Sequence, residues 1–123
     1  MAQAPKYDLQ EIFAIIDGGD KNRVWFSAPS RSIQEVIKVY QGSIDFKDAE
    51  EAAIFILKGI RSLKPENFVE RILQWDAIAD VYGVIFDSRP WYVKFMVEDG
   101  ILNEISFHPP TKPLKTISGL IIG

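Results

Sequence analysis

The sequence predicts an α+β fold, with helices from the first half of the chain packed on one face of a small antiparallel sheet made by the second half. Three observations predict it. Apolar residues recur at helical spacing, behind capping patterns, up to about residue 75. From residue 80 the period changes to two and holds to residue 108. Pro109, Pro110 and Pro113 then end regular structure. Helices segregated from an antiparallel meander leave one sheet face covered and the other open.

Taken in order, Tyr7-Asp8-Leu9-Gln10-Glu11 opens the first helix, with Asp8 as N-cap and Glu11 completing a capping box. Leu9, Ile12, Phe13 and Ile16 form its apolar stripe, and Gly18-Gly19 stops it. Arg23 to Ser27 is a short strand candidate. Ser32 with Glu35 repeats the capping box ahead of Ile33, Val36, Ile37 and Tyr40, and Gly42 ends that helix. Asp45 or Asp48 caps a third helix through Phe46, Ala49, Ala53, Ile56, Leu57 and Ile60, with Lys58 and Arg61 near its C-terminus, where cations suit the dipole. Pro65 starts a short helix, PENFVERILQW, with Phe68, Ile72 and Leu73 inward. Residues 80–86 form a strand, 87–90 a turn, and 91–108 a hairpin. The terminal LIIG is a last edge strand.

The hairpin needs a register. Alternation places Trp91, Val93, Phe95 and Val97 on one face and Tyr92, Lys94, Met96 and Glu98 on the other. A two-residue turn at Asp99-Gly100 would set Phe95 against Glu104 and mix the faces. A three-residue loop, Glu98-Asp99-Gly100, pairs Val97 with Ile101, Val93 with Ile105 and Trp91 with Phe107. That register gathers Tyr92, Lys94, Glu104, Ser106 and His108 on the polar face, with Lys94 opposite Glu104.

Length and composition bound the rest. The 123 residues make a single domain, 1–123, large enough for a core without staples. With 47% apolar and 25% charged residues it is an ordinary globular chain. There is no cysteine and one histidine, so disulfide frameworks and His- or Cys-rich zinc sites are excluded. Neither a secretory signal nor a membrane-length apolar run is evident, and the cytoplasm is the expected location. Net charge is −3, and the isoelectric point of about 5.1 argues against a broad nucleic-acid track. The charge is uneven, however. Four acids fall in residues 45–51 and none after Glu104, whereas His108, Lys112 and Lys115 follow it. The C-terminal segment can hold a small anion.

No phosphate loop, dinucleotide fingerprint, zinc-protease or nucleophile-elbow motif is present. Glu50-Glu51 and Glu66 with Glu70 read as solvated helix charge. A lone histidine before two prolines and a lysine opposite a glutamate have plain readings too, as a surface residue and a cross-strand ion pair. Together they can do more. His108 can give and take protons near neutral pH. Lys94 and Arg89 supply fixed positive charge for a phosphorane, and Tyr92 supplies a phenol and a ring on which a base can stack. RNA brings its own nucleophile, so no metal or other cofactor is needed. Ser106 lies about 7 Å from His108 along the same strand, at ~3.4 Å per residue, and makes no acyl-transfer pair.

The order Pro5-Lys6-Tyr7-Asp8-Leu9, Leu63 to Phe68, Asp80-Val81-Tyr82, Tyr92-Val93-Lys94-Phe95 and Ile105-Ser106-Phe107 resembles the motility quorum-sensing regulator (MqsR) toxins, RelE-like mRNA interferases of bacterial toxin–antitoxin pairs. The matching segments are short but extend over nearly the whole chain. The resemblance implies a RelE-like fold, metal-independent endoribonuclease activity on mRNA, possible ribosome association and neutralisation by a cognate antitoxin. The family's cleavage tyrosine falls on Tyr92. His108 replaces its lysine after the Ile-Ser-Phe segment, Glu70 replaces a second lysine, with Arg71 beside it, and Ala79 replaces a glutamine. The expected site is therefore His108, Tyr92 and Lys94 for catalysis, with Arg89, Arg71 and Lys112 for RNA phosphates. The competing class is a non-catalytic domain that binds a protein partner through its exposed sheet face or edge.

Overall fold

A computed structural model describes residues 4–26, 31–40 and 49–123. Among these residues the helices are α1 (Leu9–Asp17), α2 (Arg31–Val39) and α3 (Ala49–Arg61). The strands are β1 (Val24–Phe26), β2 (Phe68–Gln74), β3 (Ala77–Phe86), β4 (Arg89–Glu98), β5 (Ile101–His108), β6 (Leu114–Lys115) and β7 (Ile121–Ile122). The chain is α+β. Its main sheet has the order β1-β5-β4-β3-β2. Strands β2 to β5 pair antiparallel in sequence order, but β1 joins the edge parallel to β5, so the sheet is mixed and not wholly antiparallel.

Helix α1 begins as its sequence dictates: the Asp8 carboxylate accepts the Gln10 N–H at 2.9 Å. Leu9, Ile12, Phe13 and Ile15 are buried. At its end Asp17 accepts from Arg61 of α3 at 3.1 Å, and the Arg61 guanidinium lies 4.3 Å above the Phe13 ring. Helix α2 departs from expectation. Ser32 lies inside the first turn, buried, and its hydroxyl donates to Glu104 Oε1 at 3.0 Å, so it does not cap. Gly42, Asp45, Phe46 and Asp48, assigned ends or a face of helices above, lie outside the described residues. Helix α3 comes so close to the sheet that a Cβ on Gly59 would be 2.6 Å from Phe107.

The expected helix at 65–75 is a 3₁₀ turn, Pro65–Asn67, followed by β2. The four-residue spacing of Phe68 and Ile72 suggested one helical face. In the sheet an extra residue at Val69 reverses the alternation. Phe68 thus packs on Tyr82 in the helix-covered core, while Ile72 packs on the other face with Ala79, Met96 and Ile105. Glu66 and Glu70 consequently share no helix.

All three main hairpins use two-residue turns with both residues at positive φ: Trp75-Asp76, Asp87-Ser88 and Asp99-Gly100. The last corrects the expected register. Glu98 pairs with Ile101, Val93 with Phe107, and Tyr92 with His108. Face matching is restored by a bulge at Ile105, between the Phe95–Glu104 and Lys94–Ser106 pairs. Val93 is therefore not beside Ile105, and Lys94 is not opposite Glu104. Glu104 faces the core.

The helices cover the Trp91, Val93 and Phe95 face, where an aromatic stack of Trp91 on Phe107 and Tyr82 on Phe95 forms the centre. The opposite face is only partly open. The C-terminal segment crosses it, seating Leu114 and Ile122 against Gly83 at 3.1 and 3.4 Å from where a Cβ would stand. Ile121–Ile122 pairs with β6 in a separate two-stranded sheet, so the terminal strand is not an edge of the main one.

Candidate functional site

The direct pairing of Tyr92 with His108 stacks their rings, with centroids 4.9 Å apart and planes 13° from parallel. His108 Nδ1 lies 2.7 Å from the carbonyl oxygen of Pro109. A carbonyl can only accept, so Nδ1 is the donor in this contact, and Nε2 is the nitrogen left to exchange a proton with a bound molecule. The proline run that breaks regular structure after β5 thereby also orients the histidine ring.

Two residues along β4, Lys94 projects onto the same face opposite Ser106, and its ammonium donates to Gln74 Oε1 at 3.1 Å. Burial, then the charge of Arg31, lowers the Lys94 pKa. Burial, then the charge of Glu70, raises that of Tyr92, which keeps the phenol protonated as a donor. Tyr92, Lys94 and His108 line a cleft of about 450 Å³ together with Arg31 and Lys112. Glu35 is the one carboxylate among its described lining residues. A locally cationic cleft thus opens on a chain of net charge −3.

Four of the six expected residues meet here: His108, Tyr92, Lys94 and Lys112. Arg89 and Arg71 do not line this cleft. Arg89 opens β4 near Tyr92 but in step with Trp91 and Val93, on the helix-covered face, its guanidinium 5.1 Å above the Tyr40 ring, and Tyr40 hydrogen-bonds to Asp87. Arg71 stands opposite Asp80 and donates to the Ala4 carbonyl at 3.0 Å, tying down the N-terminal segment. Arg31 and Glu35 were not expected. They reach the cleft because α2 packs beside β5 where β1 has ended, a neighbourhood no local pattern encodes.

A second cleft, of about 590 Å³, shares Arg31, Glu35, His108 and Thr111 with the first and continues to Lys38 and Pro110. The two form one groove running from Lys94, past His108, along α2. Beneath it Glu104 is fully buried; burial pushes its carboxyl up to about 7, against the lowering effect of the Ser32 hydroxyl. No helix among the described residues is long and apolar enough to cross a membrane. No protein-family model matches this chain, and no curated protein matches it.

Proposed function

We propose that this chain is a metal-independent endoribonuclease of the toxin type, cleaving mRNA in the cytoplasm and held in check by a cognate antitoxin. The observation that carries the reading is the contact of His108 Nδ1 with the Pro109 carbonyl, which leaves Nε2 without a hydrogen bond among the described residues, in a cationic cleft with the Tyr92 ring stacked behind it. Nε2 takes the proton of a ribose 2′-hydroxyl as that oxygen attacks the adjacent phosphorus. The 5′-oxygen departs with a proton from the Lys94 ammonium, whose lowered pKa eases the release. A 2′,3′-cyclic phosphate remains on one fragment and a 5′-hydroxyl on the other. Arg31 and Lys112 offset charge on the phosphorane. The short motifs shared with RelE-like toxins point the same way.

The test is cleavage of single-stranded RNA by purified wild type and His108→Ala, with a chelator present and an equally stable fold verified. A rate lower by about 10²–10⁴-fold in the variant supports proton transfer. Equal rates would sink the assignment. A second reading, a protein-binding domain, is favoured by one feature: edge strand β2 and its turn leave Leu73 71% and Trp75 61% exposed. Absence of cleavage by wild type, with or without ribosomes, would select it. Under the toxin reading, inducing the protein in a bacterium without its antitoxin arrests growth.

A further inference from the structure

The groove contains one residue that a phosphate-binding surface does not need. Arg31, Glu35 and Lys38 follow one another at i, i+4 and i+7 on α2, one stripe of the helix. At ~1.5 Å rise per residue the stripe spans about 10 Å. All three line the part of the groove beyond His108. Glu35 makes no hydrogen bond or ion pair to another described residue. A carboxylate there repels phosphate, and its place in the groove lets it meet a different part of a strand bound alongside.

Resting on the reading of the groove as an RNA site, the geometry points to Glu35 as the residue that selects the base beside the cut, favouring bases that carry an amino group over uracil. Arg31 and Lys38 hold the phosphates on either side, and the base between them turns its edge to Glu35. An ionised carboxylate only accepts hydrogen bonds. Cytosine N4, adenine N6 and guanine N2 donate to it, as acidic side chains do in reading cytosine. Uracil has no amino group, and its single ring N–H is flanked by carbonyl oxygens that repel the carboxylate. Single-stranded RNA is recognised through such splayed-out base edges.

The test compares wild type with Glu35→Gln, a substitution at a partly buried position that preserves helix propensity and size. Binding of labelled oligocytidylate, oligoadenylate and oligouridylate is measured, and cleavage sites are mapped on a random-sequence RNA. Wild type should prefer the amino-bearing strands by about 10-fold or more and exclude uracil at one position next to the cut. In Glu35→Gln the preference should fall to about twofold or less at that position alone, because the amide can donate to a uracil carbonyl. A purely structural role would change overall rate or melting temperature but not the base profile. Cleavage with the same profile in both proteins overturns the role of Glu35 and leaves the nuclease reading standing. Wild type that neither binds nor cleaves any RNA overturns both.

Discussion

Glu104→Gln should make the protein more stable, and only above mildly acidic pH. Glu104 is fully buried opposite Phe95; Oε1 accepts from Ser32 at 3.0 Å, and Oε2 finds no partner among the described residues. Burial raises its pKa from 4.5 to about 7, with Ser32 acting in the opposite direction. The folded protein therefore keeps a proton that the unfolded chain loses near 4.5. Its favourable contribution is complete below that pH and is lost as the pH rises to about 7. The difference, about 7 less 4.5, is about 2.5 pKa units; at 1.36 kcal/mol each it amounts to ~3 kcal/mol. Glutamine keeps the shape and the contact with Ser32 but cannot ionise. Urea unfolding of both proteins at pH 4.5 and pH 8 should give nearly equal stabilities at the lower pH. At pH 8 the variant should lead by about 3 kcal/mol, roughly 10 °C in Tm. Asp80, another carboxyl raised by burial, is common to both proteins and cancels in the comparison. A stability difference that stays constant from pH 4.5 to 8 would refute the reasoning.

Three further substitutions test the packing. Tyr82 is buried and its hydroxyl has no partner among the described residues; Tyr82→Phe should therefore leave stability unchanged or raise it by about 1 kcal/mol, and a clear loss in denaturant titration would mean that the hydroxyl is satisfied. Ser88 holds φ 60 in its two-residue turn, so Ser88→Gly should stabilise by roughly 1 kcal/mol; a lower Tm would contradict the turn geometry. Gly59→Ala would press a methyl to 2.6 Å from the Phe107 ring and should cost about 1–3 kcal/mol by overpacking, whereas wild-type stability would show that α3 has room to shift.

The sequence by itself determined the α+β class, α1 with its Asp8 cap, strands β3 to β5, and the common face of Tyr92, Lys94, Ser106 and His108. These follow from apolar period and side-chain chemistry, which act between near neighbours. The tertiary structure decided the rest. Single extra residues at Val69 and Ile105 reverse a strand's alternation, and no local signal marks them, because a bulge is chosen by how both faces pack at once. The two-residue turn at Asp99-Gly100 sets Glu104 against Phe95 in the core, where Ser32, an expected cap, becomes its partner, and the Ile105 bulge returns Ser106 and His108 to the polar face. Arg71 and Arg89 have the right charge for the site, yet Arg71 falls on β2 facing Asp80 and Arg89 beside Tyr40. Arg31 and Glu35 enter the groove only because α2 lies against β5 across some seventy residues of chain. Periodicity fixes which face of an element a residue occupies; which element that face meets is settled by packing between distant parts of the chain.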